Sequence, residues 1–229
     1  MKLRLEFSKL GPIKFISHLD TMRLFQRSLQ RARVPLLYSQ GYHPHPKMSI
    51  AIPLSLGMES ESETMDIEVE DSYDHKKLKE DLNQSLPKGL RIQAVYKDFD
   101  PKSVFARVEE MDYELVFPQE AGLSWEVLEE GLEKMKGAGA LPVTRTRKKG
   151  KKKIQVQEDI KPLIVKVALD RTRPEITLYG RFKAGEGGNL RPDRFLKALQ
   201  DFSSQDFDSD LVQIKRLRAY DQEGEEIHG

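Results

Sequence analysis

The order of periodic segments constrains this chain most. A β-α-β-β-α-β succession appears twice, once on each side of a charged stretch from Lys97 to Glu110. In the first copy, Lys2 to Ser8 alternates with Leu3, Leu5 and Phe7 on one side, the period of a half-buried strand. A helix follows: Ser17 has the chemistry of an N-cap, Asp20 stands at N3, and His18, Met22, Phe25, Leu29 and Ala32 fall on one stripe until Pro35 ends it. Met48 to Leu54 and Thr64 to Val69 read as strands around a polar Gly57 to Glu63 turn. Leu78, Leu82 and Leu86 mark a short helix stopped by Pro87 and Gly89, and Leu90 to Tyr96 reads as the closing strand.

The second copy repeats this order. Tyr113 to Phe117 is a strand, and Ser124 caps a helix carrying Trp125, Leu128, Leu132 and Met135. Leu163 to Leu169 and Ile176 to Phe182 form a hairpin around Arg171 to Pro174, Pro192 starts a helix with Phe195, Leu196 and Leu199, and Leu211 to Leu217 is the last strand. Residues 141–159 are an insertion whose lysine-rich centre reads as the tip of a basic hairpin. The expected fold is therefore α+β: two tandem ferredoxin-like (βαββαβ) units, each an antiparallel sheet with its helices on one face. Unit boundaries are expected at 1–98 and 112–229, with 99–111 as linker.

Composition removes several classes of chemistry. The sequence has no cysteine, which excludes disulfides, thiolate metal sites and an iron-sulfur cluster held by this chain. The first residues alternate charge with apolar side chains, and no stretch approaches the ~20 apolar residues of a membrane span, so a cytoplasmic protein with no membrane partner is expected. The formal net charge is only +1, but it is segregated. Thr21 to Met58 holds cations and no carboxylate, Glu59 to Asp74 holds acids and no cation, and Arg145 to Lys153 is basic again. Such blocks give a near-neutral chain a positive face suited to a polyanion, unless folding interleaves them.

Candidate site residues gather at two segments. One is the helix start with Lys14, Ser17, His18, Asp20, Arg23 and Arg27; the other is the Pro-restricted Gly41 to Lys47 loop with Tyr42, His43, His45 and Lys47. Ser17 and Asp20 are explained by capping, whereas His18 in the first turn is disfavoured from protonation by the helix dipole and fits a neutral base or ligand. His43 and His45 allow a metal site, a rigid ligand-binding or RNA-binding lip, or a structural turn, and no metal is assigned. His18, His43 and His45 are the candidates for acid-base work.

Arg23, Arg27 and Arg31, spaced i, i+4, i+8, form one stripe opposite the apolar one. With Arg145, Arg147, Lys148, Lys149, Lys151, Lys152 and Lys153 of the insertion they make an electrostatic footprint for RNA. No aromatic RNP-like motif stands on the strands. The glycine-rich Gly185 to Asn189 loop lacks the ending of a phosphate-binding loop and reads as a turn.

Lys14-Phe15-Ile16-Ser17-His18-Leu19-Asp20, Tyr38 to Ser49, Pro53 to Ser60 and Asn189 to Asp193 together resemble the radical SAM-linked proteins, a bacterial family carrying a domain of unknown function. The resemblance covers nearly the whole chain. It implies a radical SAM enzyme as partner, with iron-sulfur cluster and S-adenosylmethionine on that partner and no cofactor here, and it brings no catalytic roles. The expectation is a non-catalytic accessory or substrate-binding protein that takes RNA on its basic face. The alternative is a metal-independent endoribonuclease, or another His-dependent hydrolase of tandem ferredoxin-like type.

Overall fold

In the computed structural model, which describes residues 1–100, 102–149, 152–185 and 187–227, the first unit is built around β1 (Lys2–Lys9). Then follow α1 (His18–Arg31), β2 (Met48–Ile50), β3 (Glu59–Glu68), α2 (Leu78–Ser85), β4 (Leu90–Tyr96) and a one-turn α3 (Val104–Arg107). β1 lies between β4 and β3, antiparallel to both, and β2 pairs antiparallel with β3. Leu3, Leu5 and Phe7 alternate toward the helices, as the period-two pattern requires. There they meet Phe25 and Leu29 of α1 and Leu78 and Leu82 of α2. The Phe7 and Phe25 rings meet edge to face at 4.8 Å.

The opposite face of β1 is not simply solvated. Arg4 is fully buried; its Nε and Nη2 donate to Asp66 at 2.7 and 3.0 Å, and its guanidinium lies 4.1 Å from the Phe99 ring centroid. A buried guanidinium needs such a bidentate partner, because an unpaired one costs several kcal/mol in desolvation. Phe99 belongs to the stretch expected to be a linker. Instead, Ser103 caps α3, Val104 and Val108 are buried, and the first compact unit extends through Val108.

Two further expectations are corrected here. Of the polar Gly57 to Glu63 segment only its start lies in a turn, since β3 begins at Glu59. Its buried Glu63 accepts from Arg216 Nη1 at 2.8 Å, and Lys215 and Arg216 pair in parallel with Glu59 and Ser60. Long-range ion pairing has made a strand of residues whose local propensity favours a loop. β2 stops at Ile50 rather than Leu54: Pro53 has no N–H for a ladder, and the far end of the same β3 edge, Glu59 and Ser60, pairs with residues 215 and 216. Residues 215–227 accordingly group with the first unit. The expected 112–229 unit loses its C-terminal part to the first.

The second unit, 109–214, contains β5 (Glu110–Phe117), α4 (Trp125–Gly137), β6 (Pro142–Lys149), β7 (Lys152–Asp159), β8 (Ile164–Asp170), β9 (Ile176–Lys183) and α5 (Pro192–Phe202). β10 (Gln213–Tyr220) begins in it and ends in the first unit. β9 lies between β5 and β8, antiparallel to both, and the inserted β6 and β7 form a separate two-stranded sheet. Phe182 packs against Tyr113 and Phe195 at 5.7 and 5.0 Å. Its ring lies over Gly180, where a Cβ would stand 2.5 Å from Phe182 Cζ. The other face is a ladder of cross-strand pairs: Glu110 with Lys183, Asp112 with Arg181, and Glu114 with Tyr179. Each unit is thus α+β with a mostly antiparallel open sheet.

Candidate anion-binding cleft

The start of α1 is held by several bonds. Lys9, a nearly buried lysine whose pKa is lowered by desolvation, donates from Nζ to the Ile16 carbonyl at 3.0 Å. Lys14 pairs with Glu59 at 3.4 Å, and Glu59 also accepts from the Gly11 N–H at 3.0 Å. Ser17 Oγ accepts from the Asp20 N–H at 3.1 Å and donates to Asp20 Oδ2 at 2.7 Å. Asp20 also takes Arg23 at 3.0 Å. The Ser17 hydrogen bond first, and Arg23 second, hold the Asp20 carboxyl below its ordinary range.

The helix ends in a Schellman arrangement. Val34 N–H reaches the Leu29 carbonyl and Arg33 N–H the Gln30 carbonyl, both at 3.0 Å. Arg33 takes the left-handed position at φ 54° that glycine usually fills. Arg31 turns to α2: its Nη2 donates to the Ser85 carbonyl at 2.7 Å and to Ser28 Oγ at 2.9 Å, neutralising the end of that helix.

Between α1 and this end of α2 lies a cleft of about 500 Å³. Arg23, Arg27 and Arg31 form its charged wall, Ile16, Leu24, Leu86 and Pro87 its apolar surface, and Asp20 and Ser85 its ends. Arg31 is committed to a carbonyl and Arg23 to Asp20. Arg27 makes no hydrogen bond or ion pair with any described residue. Planar guanidinium forks in a row, one of them free, can bind phosphate or carboxylate oxygens bidentately.

The Gly41 to Lys47 loop does not line this cleft. It closes on itself: Tyr38 bridges Pro46, and His45 shares a 2.9 Å hydrogen bond between Nδ1 and Ser39 Oγ while its N–H donates to the same oxygen at 3.1 Å. Tyr42 and His43 stand exposed at the tip. Lys47 pairs with Glu68 at 2.9 Å, a hydrogen bond that holds the Glu68 carboxyl below its usual range. His18 is half-buried in the first turn of α1. Among the described residues, no group of three or more His, Asp or Glu is arranged to hold a metal.

In the basic insertion, Lys148 lies opposite Lys153 and Lys149 opposite Lys152 in the strand register, and Arg147 opposite Ile154. Arg145 pairs with Glu158 at 3.2 Å. Gly150 and Lys151, at the middle of the expected hairpin tip, lie outside the described residues.

A second groove, of about 820 Å³, runs between α4 and β8. Its surface is apolar, with Leu132, Met135, Val165 and Val167, and its rim carries Glu129 and Glu133. These acids are satisfied locally, by Arg171 and Lys136.

The family model described as "Uncharacterized protein conserved in bacteria (DUF2344)" matches residues 2–192. The chain belongs to that family. Its match spans α1, the Gly41 to Lys47 loop and the basic insertion. No curated protein matches. Among solved structures, a crystal structure of an unknown protein from Galdieria sulphuraria is similar at 13% identity, covering 99% of this chain and 98% of that one, with a TM-score of 0.25. No helix among the described residues is long and apolar enough to cross a membrane.

Sequence reasoning found the arginine stripe but not its opposite wall. The Pro87 and Gly89 stop signal marks where α2 ends, yet it is the Arg31 and Ser28 bonds to the Ser85 carbonyl that bring that end to α1.

Proposed function

We propose that this protein binds rather than transforms its ligand: the cleft beside α1 takes a phosphate-bearing ligand, RNA before others, and the protein presents it to a radical SAM enzyme. The carrying observation is Arg27, a cleft-lining guanidinium left without a partner between two arginines that are engaged. A free cation fixed on a helix is preorganised for an anion and loses little on binding it. The lysine-rich run of the 141–159 insertion supports the same reading, because a cluster of cations in the sequence attracts a polyanion. With no cysteine in the sequence, the cluster and S-adenosylmethionine belong on the partner chain, in a reducing cytoplasm. We read each unit as ferredoxin-like, a reading supported by antiparallel β4-β1-β3-β2 and β5-β9-β8 neighbours and by helices on one face.

The test is RNA binding across a salt series with a cleavage assay on the same samples. Three arginine contacts predict a log-log salt slope of about 2, at roughly 0.7 per phosphate on a single strand, and Arg27→Ala should lower it by one contact. Salt-insensitive binding, or a slope that Arg27→Ala leaves unchanged, removes the cleft from the account. Cleavage lost in His43→Ala, with binding retained, replaces it with a hydrolase.

A further inference from the structure

Phe15, Leu19 and Leu56 leave 65%, 65% and 66% of their surface in solvent. Exposed large apolar side chains that adjoin one another mark an interaction site, and the Phe15 and Leu56 segments adjoin. Their placement is built. The Gly57 N–H donates to the Lys14 carbonyl at 3.0 Å, and a Cβ on Gly57 would stand 3.9 Å from Phe15 Cε1, so the loop carrying Leu56 rests against the Phe15 ring. Gly57 adopts φ +82°, a conformation that favours glycine. Lys14 Nζ stands 5.6 Å from the ring centroid.

This patch leads into the arginine row. Leu19 precedes Arg23 by one helical turn on the stripe that continues through Arg27 and Arg31, each step advancing about 6 Å along the axis. Ile16, bonded to Phe15, lines the cleft itself.

We infer that Phe15, with the Leu56 loop against it, is a stacking platform for an unpaired base of single-stranded RNA whose phosphates follow Arg23, Arg27 and Arg31. The inference rests on the arginine cleft being the phosphate site. Polyphosphate and an acidic peptide satisfy the arginines but offer no flat π face to Phe15. A duplex carries phosphates but keeps its bases inside the stack. A single strand presents both at once, which is how aromatic platforms beside basic grooves work.

The experiment is a set of anisotropy titrations of the full chain with a short oligouridine, the same strand in duplex, polyphosphate and polyglutamate. Phe15→Ala should weaken oligouridine binding about tenfold, the effect of one lost stack. Its salt slope and its affinity for polyphosphate should be unchanged, and Phe15→Trp should retain oligouridine affinity. An oligouridine affinity that Phe15→Ala leaves unaltered overturns the stacking role, and so does an equal loss for polyphosphate. So does a wild-type protein that binds duplex, polyphosphate or polyglutamate as tightly as the single strand. If Arg27→Ala lowers the salt slope while Phe15→Ala is silent, the cleft reading stands and the stacking falls. If neither variant changes binding, both fall.

Discussion

Helices α1 and α4 occupy the same place in their units, each after the first strand and each capped by a serine, yet they treat charge in opposite ways. Along α4, Glu129, Glu130 and Glu133 are answered within the unit by Arg171, Lys134 and Lys136. Along α1 the only acid is Asp20 in the first turn, Arg31 donates through Nη2 to a carbonyl, and Arg27 is left open. Charge answered locally serves solubility and adds little stability, whereas fixed charge without a partner is available to a ligand. The hairpin strands differ similarly. β3 in the first unit buries Ser60 and Glu63 against Arg216, while β9 in the second buries Leu178 and Phe182.

The largest effects test that second contrast. Glu63→Ala should cost about 3 to 5 kcal/mol, because it removes the carboxylate paired with a buried guanidinium. Phe182→Ala should cost a similar ~3 to 5 kcal/mol by leaving a cavity between Tyr113 and Phe195. Urea unfolding of both, together with the double variant Glu63→Leu/Arg216→Met, separates the causes. The paired apolar replacement should recover most of the Glu63→Ala loss, and failure to do so would mean the ion pair holds the strand for a reason other than charge compensation.

The helix caps come next. Ser17→Ala and Ser124→Ala should each lower stability by about 1 kcal/mol. Only Ser17→Ala should also move the Asp20 carboxyl back up toward its ordinary 3.8, since the Ser17 hydrogen bond is the first cause of its depression. With a folded pKa below the unfolded one, this contribution is fully present above the unfolded value and is lost as pH falls through the folded value. An NMR titration of Asp20 in the wild type and Ser17→Ala decides it; equal pKa values would assign the depression to Arg23 alone.

The smallest stability change belongs to Arg27→Ala. Lacking a partner among the described residues, Arg27 should leave thermal stability within about 0.5 kcal/mol of wild type, while the salt dependence of RNA binding falls. A marked loss of melting temperature would show that Arg27 is structural and that the contrast between α1 and α4 is false.

Much of this architecture is legible in the order of residues. Ser17 and Ser124 cap where the spacing of their helices predicts, β4 spans Leu90 to Tyr96 as read, and the Arg23, Arg27, Arg31 stripe follows from helical periodicity alone. These features are encoded within a few residues, where capping bonds, alternation and the helical repeat act. The strand character of Glu59 to Glu63, the burial of Arg4 beneath Phe99, the return of residues 215–227 to the first unit, and the second wall of the cleft at Ser85 to Pro87 were decided only by tertiary structure. Each depends on a polar group whose partner is distant in sequence, Arg216 for Glu63 and Ser85 for Arg31. A lone charged or polar residue reads locally as surface or turn, and only its burial beside that partner makes it part of the core or of a site.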